Sequence, residues 1–582
     1  MLTQVPAPFV LLDDTRLGGC ARLYRDPIEI IEARTVAQVL PALERVRAGR
    51  ARGLHAAGFL AYEAGEAFEP AAGPLPQPAA PLAWFGLFET YEDVGHLTAR
   101  LPDPRGAWIG RVVADIDRAT YDAQLAEVLA LIAAGDLYQA NLTFRATVAV
   151  QGDPLAIYAR LRAASGAGWG AYVDTGEIAV LSLSPELFFV LDDGAITCRP
   201  MKGTAKRLPE PRADALAAQN LVVDPKQRAE NLMIVDLMRN DLSRIARPGS
   251  VAVPELFTVE AYPTIHQMTS TVTATLAEGR DAVDVLRALF PCGSVTGAPK
   301  VRAMRAIAQV ERGASRGAYC GSIGRIDADG GAAFNVAIRT LTLPRGAAHA
   351  HLGLGSGIVA DSSADDEWNE CVAKSAFVQA GAWRFDLIET MAFDPESGIA
   401  LLERHLGRMQ ASAATLGFVF DHHAARNELQ AATFKLRHIH RLRLLLSASG
   451  AMVVETGPAP PVPDGPVTVA IRPLPVATAD IRLRHKTSDR RFYDKARGDW
   501  FEVVFETPDG VLTEGSYTSV FVERDGVLLT PPTGPLLSGV LRAELLATGR
   551  AVEAPLTRAD LAGGFFIGNA VRGLLPAIVT VA

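Results

Sequence analysis

The chain has 582 residues, of which 49% are hydrophobic and 21% are charged, and its formal net charge is −8. This length allows two to four domains with sizeable cores, and the acidic balance argues against a nucleic-acid binder. The five cysteines are scattered and form no CxxC pair, which fits a reducing cytosol and argues against a zinc site. The N-terminus lacks the pattern of a signal peptide, and no apolar run reaches the roughly 18–20 residues of a membrane span. A cytoplasmic location is therefore expected.

Residues 1–105 are predicted to contribute short strands and helices to a sandwich scaffold. Residues 9–13 have the apolar run of a strand, and residues 35–48 have the periodicity of a helix. Residues 58–63 are predicted to form a strand that leads into a turn, and the Pro- and Ala-rich residues 70–81 a surface loop. The motifs of this region are weak, so a purely structural role is the preferred interpretation.

The chemical signal becomes stronger after residue 115. Residues 121–134 are predicted to form an amphipathic helix that stops at Gly135, and Gln139 follows in residues 136–143. The neutral amide of Gln139 cannot act as a general base. Taken alone, Gln139 fits a hydrogen bond at the helix end equally well.

Three further residues are candidates for catalysis or metal binding. Lys202 lies in Arg-Pro-Met-Lys-Gly-Thr, where Pro and Gly place it at a strand end or in a turn. A desolvated lysine can act as an amine nucleophile. Glu230 lies in a predicted helix over residues 224–241, and His266 has a side chain suited to acid–base work near neutral pH. Taken singly, the lysine also fits a solvated charge and the histidine a structural role.

Residues 290–374 combine three Gly-rich turns, an arginine and an acidic helix. Glycine lets the backbone approach a ligand and present bare N–H groups to it. Arg339 lies in the apolar run 334–343, which is predicted to be a buried strand. An unpaired charge would be costly there, so a bidentate anion is the expected partner of this guanidinium.

The acidic helix at the end of this segment points to a metal ion. Glu367 and Glu370 are three residues apart, which places both carboxylates on one helix face. Mg²⁺ prefers oxygen ligands and would hold the two repelling groups together. Glu370 with Lys374 also fits an ordinary surface pair. The segment as a whole predicts a pocket for a small, carboxylate-bearing substrate beside a metal ion.

Taken in order, these motifs resemble those of the chorismate-utilising enzymes, which include anthranilate synthase, aminodeoxychorismate synthase component I, and the isochorismate and salicylate synthases. The resemblance implies an α+β two-layer chorismate-utilising sandwich fold, with residues 1–105 as the N-terminal part and residues 106–380 as the catalytic domain. It implies Mg²⁺ at Glu230, Glu367 and Glu370, although Gln227 stands where some members carry a further glutamate. It implies contacts with chorismate for Gln139, Thr296, Gly297, Tyr319, Arg339, Gly355, Gly357 and Lys374, and a place near the ring for His266.

Lys202 separates the members of this family from one another. Aminodeoxychorismate synthases resemble this chain in carrying a lysine there, whereas anthranilate synthases usually carry alanine. The resemblance implies that Lys202 attacks C2 of chorismate with loss of the C4 hydroxyl, and that ammonia then adds at C4 and releases the lysine. Gln139 stands where the water-using isochorismate enzymes typically carry a lysine that activates water.

A second pattern begins near residue 385. Residues 385–391 are predicted to form a strand, and a helix that contains residues 403–409 follows. The Pro-rich residues 457–466 are predicted to link two sub-halves. Lys486 comes next, and residues 534–544 are predicted to form a loop that opens a helix, whose free N–H groups suit a phosphate.

Together with Glu514, these motifs resemble the fold-type IV pyridoxal phosphate enzymes, which include branched-chain and D-amino-acid aminotransferases and aminodeoxychorismate lyase. The resemblance implies an α/β fold-type IV PLP-dependent domain over residues 381–582 and pyridoxal 5'-phosphate as cofactor. It implies that Lys486 is the Schiff-base lysine and that Glu514 faces the pyridine nitrogen and keeps it protonated. It implies further cofactor contacts for Arg408, Gly539, Val540 and Asn569. Ala570 replaces a commoner hydroxyl residue, so one side-chain bond to phosphate is lost.

The two halves together predict a bifunctional enzyme of the 4-aminobenzoate branch of folate synthesis. The first half would make 4-amino-4-deoxychorismate, and the second would expel pyruvate from it. A rival is an anthranilate synthase-type enzyme fused to a class IV aminotransferase, because lyase and transaminase share the chemistry of Lys486 and Glu514. A rival of another class is a protein that senses chorismate or an aromatic amino acid without turnover.

Two partners are expected on the same grounds. No Gly-x-Cys-x-Gly-x-Gln motif is present, so ammonia should come from a separate glutamine amidotransferase subunit. Fold-type IV enzymes are usually dimers with the cofactor near the interface, so the resemblance implies a homodimer.

Overall fold

A computed structural model describes residues 2–16, 19–261, 265–380, 383–532, 534 and 536–580 of the chain. The chain divides into two compact units. The first comprises Met1–Pro104, Arg111–Val150 and Pro154–Ala382, and the second comprises Arg105–Gly110, Gln151–Asp153 and Trp383–Ala582. Within the described ranges, no helix is both long enough and apolar enough to cross a membrane.

The part of the chain before residue 380 is rich in strands. Its strands are, in chain order, β1 (Phe9–Asp13), β2 (Ala21–Arg25), β3 (Glu29–Ala33), β4 (His55–Leu60), β5 (Ala83–Phe88), β6 (Glu92–Val94), β7 (Trp108–Ala114), β8 (Gln139–Gln151), β9 (Trp169–Asp174), β10 (Ile178–Ser184), β11 (Leu187–Asp192), β12 (Ala195–Arg199), β13 (Met201–Lys206), β14 (Ala252–Ala261), β15 (Ile265–Thr275), β16 (Gly297–Ala298), β17 (Ser322–Ile326), β18 (Ala332–Asn335), β19 (Thr340–Pro344) and β20 (His349–Ile358).

Along the chain, the helices of this part come between the strands, and in the fold they cover the sheets. They are α1 (Val36–Ala51), α2 (Gly65–Phe68), α3 (Leu97–Arg100), α4 (Arg118–Ala133), α5 (Pro154–Ser165), α6 (Pro211–Val223), α7 (Pro225–Ser243), α8 (Ala282–Leu289), α9 (Lys300–Val310), α10 (Ala364–Lys374) and α11 (Ala376–Gln379).

The strands form a first sheet in the order β16-β8-β20-β19-β10-β9-β1-β2-β6, with β7 on β8, and a second sheet in the order β13-β15-β12-β11-β18-β17-β4-β5-β3, with β14 on β15. The two sheets pack face to face, because Val10 and Val173 of the first share one buried cluster with Phe59 and Trp84 of the second. This burial of two apolar faces is what stabilises a sandwich.

Helices cover the outer face of the second sheet. Leu43 of α1 and Ile234 of α7 are fully buried in one cluster with Phe85 of β5. The apolar stripe of each helix therefore packs on the sheet, which is the usual way for an amphipathic helix to become stable.

The second unit has its own sheets. Its strands are β21 (Leu387–Asp394), β22 (Gly398–Ile399), β23 (His440–Leu446), β24 (Met452–Pro458), β25 (Val467–Pro473), β26 (Glu502–Glu506), β27 (Leu512–Gly515), β28 (Ser519–Arg524), β29 (Val527–Thr530), β30 (Ala551–Glu553), β31 (Phe565–Asn569) and β32 (Gly573–Val579). Its helices are α12 (Leu402–Leu416), α13 (His422–Thr433), α14 (Ile481–Arg484), α15 (Arg491–Arg497) and α16 (Val540–Ala547).

One sheet of this unit is antiparallel, in the order β22-β21-β23-β24. The other is mixed, in the order β27-β26-β25-β32-β31-β28-β29-β30, and β25 runs parallel to both β26 and β32. Helix α12 buries Leu406 and Met409 in one cluster with Leu442 of β23. The unit therefore has two sub-halves, each with a sheet and a core of its own.

Several predicted elements are confirmed. The strand predicted at 9–13 is β1, and the helix predicted over 35–48 is α1, which begins after Thr35 as N-cap. The helices predicted over 121–134 and 224–241 are α4 and α7. Helix α7 begins after Asp224, whose side chain accepts a hydrogen bond from the backbone of Gln227, as expected of an N-cap.

Three predictions about local structure are wrong in detail. The strand expected at 58–63 is β4, which lies at His55–Leu60. The linker expected over 457–466 begins later, because β24 continues to Pro458. The run 334–343 is not one strand: β18 in the second sheet ends at Asn335, and β19 in the first sheet begins at Thr340. The apolar pattern continues across the break because both strands are buried in the same sandwich.

Candidate active sites

Three neighbouring strands of the first sheet carry four of the residues predicted to contact the substrate. Strand β8 begins at Gln139, and on one side of it Gly297 of β16 pairs with Ala140. On its other side, β20 places Gly355 and Gly357 opposite Thr143 and Asn141. The residues come from distant parts of the chain and meet because β16, β8 and β20 are adjacent.

The side chains of Lys202, the predicted nucleophile, and of Gln139 converge at Gly357. A Cβ atom added to Gly357 would lie 2.5 Å from Nζ of Lys202 and 2.7 Å from Nε2 of Gln139. Both approaches are closer than a side chain at this position permits, so glycine is required for the two groups to converge. Lys202 lies in β13 of the second sheet and Gln139 in the first, so the site lies between the two sheets.

The amide of Gln139 is buried and lacks hydrogen bonds. The residue is 0% exposed, and neither Oε1 nor Nε2 has a partner among the described residues. A buried amide left unsatisfied costs about 1–3 kcal/mol, so this one is suited to receive a ligand. The alternative of a helix-end hydrogen bond is wrong, because Gln139 begins a strand.

Glu186 is a member of this site that the sequence interpretation missed. Its carboxyl is 3% exposed and accepts a hydrogen bond of 2.7 Å from Oγ of Ser294. Burial raises the pKa of Glu186 to about 7, against the opposite effects of Ser294 and Lys202. An available signal was a glutamate inside the apolar segment 183–188. A carboxyl that exchanges its proton near neutral pH beside a lysine is suited to acid–base chemistry.

The three carboxylates predicted to bind a metal ion lie near one another. Burial raises the pKa of Glu230, and the charges of Glu370 and Glu367 add to that rise, while Lys202 and Lys226 oppose it. Oxygen donors of this kind fit Mg²⁺. In the ranges that the structure describes, however, no group of three or more His, Cys, Asp or Glu residues is arranged to hold a metal ion. The metal site therefore stays a prediction.

Lys374 links the acidic helix to the glycine strand. Its Nζ lies 2.7 Å from a carboxylate oxygen of Glu370, four residues earlier on α10, and donates a hydrogen bond of 2.8 Å to the carbonyl of Gly355. The surface pair considered from the sequence is thus present, and the same lysine also contacts a predicted substrate strand. Burial pushes the pKa of Glu370 up, but the charges of Lys374 and other lysines hold it below its ordinary value.

Of the three other predicted substrate residues, Thr296 and Tyr319 have well-defined contacts. Oγ1 of Thr296 donates to the carbonyl of Cys292 at 2.8 Å, so the oxygen keeps its acceptor capacity. The ring of Tyr319 lies directly against Gly353, where a Cβ atom would overlap it. Arg339 corrects an expectation: it is only half-buried and has a left-handed backbone, with φ of 50°, at the crossing between the two sheets.

His266 lies in β15 and contacts a residue that the sequence did not single out. Its Nε2 is 2.9 Å from Oδ1 of Asp214, and its Nδ1 is buried without a hydrogen-bond partner in the described part of the chain. A carboxylate on one ring nitrogen fixes the orientation of an imidazole. The catalytic role of His266 stays a prediction.

In the second unit, Lys486 lies next to a strongly paired carboxylate. That carboxylate belongs to Glu389 of β21. The backbone carbonyl of Lys486 accepts a hydrogen bond of 2.8 Å from the backbone N–H of Ile388, the residue before Glu389. Burial lowers the pKa of Lys486 to about 7, and Arg408 adds to this effect. An amine that loses its proton near neutral pH is suited to nucleophilic and proton-transfer chemistry.

Arg408 lies between Glu389 and the loop that opens α16. It forms two hydrogen bonds to the carboxylate of Glu389, at 2.8 and 2.7 Å, and its Nη1 donates to the carbonyl of Ser538 at 2.8 Å. Burial works against the charge of Glu389, but Arg408 and His405 hold its pKa at about 2. Gly539 is the N-cap of α16 and Val540 its first residue, so the predicted phosphate contacts lie on one loop next to Arg408.

Glu514 has a partner that the sequence interpretation also missed. The hydroxyl of Tyr493 donates to Oε1 of Glu514 at 3.0 Å. Burial raises the pKa of Glu514 to about 7, against the effects of Tyr493 and Arg490. Glu514 also lines a small recess, together with Thr513 and Ser519. Together with the amine of Lys486 and the cationic loop at Arg408, these residues fit pyridoxal phosphate.

The side chain of Asn569 already forms hydrogen bonds with the backbone of other residues. Its Oδ1 accepts hydrogen bonds of 3.0 Å from the N–H groups of Val571 and Arg572, and its Nδ2 donates to the carbonyl of Tyr517 at 3.3 Å. The side chain therefore holds the turn after β31. Its direct contact with phosphate stays a prediction.

Comparison with known proteins covers both units. Residues 8–380 match the model of the family described as chorismate binding enzyme, and residues 386–578 match the amino-transferase class IV family. The chain is 48% identical over 261 residues to aminodeoxychorismate synthase component 1 of Klebsiella aerogenes, which covers 45% of this chain and 57% of that protein. It is 40% identical over 263 residues to anthranilate synthase component 1 of Streptomyces coelicolor, which covers 45% of this chain and 51% of that protein.

A solved structure shows the same architecture for the first unit. Anthranilate synthase component I from Streptococcus pneumoniae TIGR4 superposes with a TM-score of 0.55 at 26% identity, over 65% of this chain and 94% of that chain. The predicted order of folds, a chorismate-utilising sandwich followed by a class IV aminotransferase-like domain, is confirmed. The matched segment spans only a little more than half of the length of the curated relatives.

Proposed function

We propose a function from a single premise: this chain belongs to the family of chorismate binding enzymes. The proposed function is bifunctional synthesis of 4-aminobenzoate, a folate precursor. Residues 1–380 would aminate chorismate to 4-amino-4-deoxychorismate, and residues 381–582 would eliminate pyruvate from that product. The observation that carries the proposal is the convergence of Lys202 and Gln139 at Gly357, since it supplies an amine nucleophile beside an unsatisfied amide.

The first reaction uses the amine of Lys202. Its nitrogen attacks C2 of chorismate, both ring double bonds shift, and the C4 hydroxyl leaves with its electron pair. Glu186 is suited to give that hydroxyl a proton, because its pKa is about 7 and it lies within electrostatic range of Lys202. Ammonia then forms a bond to C4, and the bond between C2 and Lys202 breaks. The amide of Gln139 would orient the substrate and, being neutral, would not activate water.

Glu230 of α7 would hold Mg²⁺ together with Glu367 and Glu370 of the acidic helix α10. When bound, the ion would neutralise a carboxylate of chorismate. Lys374 supports this arrangement, because its Nζ contacts both a carboxylate oxygen of Glu370 and the carbonyl of Gly355. Glu370 is thereby held on the side of the helix that lies next to the glycine strand.

The second reaction is the loss of pyruvate from 4-amino-4-deoxychorismate. Bound pyridoxal phosphate would supply an electron sink for the carbon that loses its proton. Arg408 and the N–H groups at Gly539 and Val540 would bind the phosphate, and Glu514 would face the ring nitrogen. Lys486, with a pKa of about 7, is suited to take the proton from C4 of the substrate.

A second candidate is an anthranilate synthase-type enzyme fused to a class IV aminotransferase. The likeness of the first unit to two anthranilate synthase components favours it. Lys202 argues against it, because the family resemblance implies alanine there in anthranilate synthases. In either case a separate glutamine amidotransferase would supply ammonia, and a homodimer and a cytoplasmic location stay predictions.

A product assay on the purified protein tests the proposal. The protein would be incubated with chorismate, Mg²⁺, ammonium and pyridoxal phosphate, and 4-aminobenzoate, anthranilate and pyruvate would be followed by chromatography. We expect 4-aminobenzoate and pyruvate in equal amounts. Lys202→Ala should abolish both, whereas Lys486→Ala should stop at the aminated intermediate, because each lysine acts in a different reaction.

Lys435→Ala is the matched control, because Lys435 is exposed and lies outside both sites. It should leave both products unchanged. Anthranilate as the product would show that the interpretation of Lys202 is wrong. Unreacted chorismate with wild-type protein would instead favour a binding role without turnover.

A further inference from the structure

A second recess in the first unit lies outside the groups assigned above. It is a small recess, and its polar lining consists of Tyr62, Glu63, Glu311 and Arg316. The apolar lining includes Ile307 and Ala308 of α9. No step of the proposed reactions uses these groups.

Glu63 is the deepest carboxyl of the recess. It is 1% exposed and accepts hydrogen bonds from the backbone N–H groups of Arg316 at 2.5 Å and Gly317 at 3.1 Å. Burial raises the pKa of Glu63 to about 7. Glu311 is paired with the guanidinium of Arg316 at 2.6 Å, so the cation of the recess already has an anion. Glu63 accepts these backbone bonds but forms no ion pair with a side chain in the described part of the chain, so it is the carboxyl of the recess that can take a small cation.

The hydroxyl of Tyr62 is the observation that points to a ligand. Tyr62 is 2% exposed, and its Oη has no hydrogen-bond partner among the residues that the structure describes. Burial raises the pKa of Tyr62 to about 12, while Arg316 and Thr296 act in the opposite direction. The hydroxyl therefore lies close to Thr296, one of the residues predicted to contact the substrate.

Arg316 connects the recess with the substrate site. Its Nη1 donates to the carbonyl of Val295 at 2.9 Å, and its Nη2 donates to the carbonyl of Asn141 at 2.6 Å. Val295 directly precedes Thr296, and Asn141 pairs with Gly357. Arg316 therefore joins the lining of the recess to the backbone that positions Thr296 and Gly357.

We propose that this recess admits ammonium and passes ammonia to the substrate site by way of the Tyr62 hydroxyl. The proposal rests on the proposed amination of chorismate, which needs a nitrogen nucleophile. A carboxylate at Glu63 binds the cation, and the apolar walls at Ile307 and Ala308 favour a ligand of few atoms. One N–H bond of ammonium breaks, an O–H bond forms on Glu63, and the electron pair stays on nitrogen, which makes ammonia a nucleophile.

Two variants test the path at residues that are not among the predicted substrate contacts. Tyr62→Phe removes only the unpartnered hydroxyl, and Ala308→Leu fills the recess from helix α9. Gln309→Leu adds the same side chain at the next position of α9, which is exposed, and is the matched control. The purified full-length protein would be assayed for the aminated product at varied ammonium and at varied chorismate.

We expect both variants to raise the KM for ammonium with the KM for chorismate unchanged. For Tyr62→Phe the rise should be roughly three- to tenfold, the value of one hydrogen bond to the ligand. The control should alter neither constant. An unchanged KM for ammonium in both variants would overturn the inference, as would a parallel rise in the KM for chorismate. If Ala308→Leu lowers the unfolding temperature, Tyr62→Phe alone decides, because Tyr62 Oη has no hydrogen-bond partner among the described residues and its removal breaks no bond within the fold.

The outcome is separable from that of the proposed function. If the wild-type protein aminates chorismate and the variants behave like the control, the inference is wrong and the function stands. If the product is anthranilate, the proposed function is wrong, while the ammonium constants still test the recess. If the wild-type protein uses no ammonium, both fail together.

Discussion

At the scale of single residues, the first site depends on the absence of a side chain at position 357. Gly357 has an ordinary negative-φ backbone, so an alanine would not strain the chain there. Its Cβ would nevertheless lie 2.5 Å from Lys202 Nζ and 2.7 Å from Gln139 Nε2, which are ends of flexible side chains that can move. The structure would therefore adapt at small cost, whereas the geometry of the nucleophile would be lost.

Gly357→Ala should accordingly reduce amination of chorismate by about a hundredfold or more while changing the unfolding free energy by less than about 1 kcal/mol. The aminated product and the denaturant midpoint would be measured on the same preparation. Gly95→Ala is the matched control, because a Cβ there meets nothing within 4 Å. Equal activity of the two variants would show that the convergence at Gly357 is not needed.

At the scale of elements, a buried carboxylate holds the turn that follows Glu514. Glu502 of β26 is 0% exposed and accepts five hydrogen bonds, from the backbone of Val503, Ser516 and Tyr517 and from the hydroxyls of Ser516 and Thr518. These contacts connect β26 to the turn between β27 and β28. The position of the turn thus depends on an anion that accepts at both oxygens.

Glu502→Gln should destabilise the protein by roughly 2 kcal/mol, because an amide NH₂ would face N–H or O–H donors and leave at least one of them buried without an acceptor. The free energy of unfolding in urea is the measurement. Glu523→Gln on β28 is the matched control, since Glu523 is exposed. A loss no larger than that of the control would show that the turn does not depend on Glu502.

At the scale of the whole molecule, buried carboxyls couple the stability of the fold to pH. Burial raises the pKa of Glu186 to about 7 from an ordinary value of 4.5. The folded state therefore binds more protons than the unfolded state between these values, and Glu186 reduces stability as pH rises from 4.5 to 7. The loss from this one group is on the order of 3 kcal/mol.

Glu186→Gln should remove that part of the pH dependence. Relative to wild type, the variant should gain stability as pH is raised from 5 to 8, by roughly 3 kcal/mol, whatever constant offset the substitution adds. Urea midpoints across this pH range would measure the difference. Glu278→Gln, at an exposed position, should run parallel to wild type. A Glu186→Gln curve parallel to wild type would mean that this carboxyl titrates normally in the fold.

The sequence by itself determined the elements whose signals are local. Helices α1 and α7 begin after Thr35 and Asp224, because a capping side chain and a 3.6-residue period act within a few residues. The sequence was likewise enough to single out Lys202, Lys486 and Glu514 as candidates, since each stands in a short motif with a characteristic order of residues.

Only the tertiary structure decided which groups meet and how each is tuned. Gln139, Lys202 and Gly357 converge because three separate strands place them there, and no local period encodes contacts over such distances. The run 334–343 looked like one strand because two strands in different sheets are apolar for the same reason. The raised pKa of Glu186 arises from burial by residues remote in sequence. The sequence therefore showed a glutamate, and only the fold gave it a pKa near neutral pH.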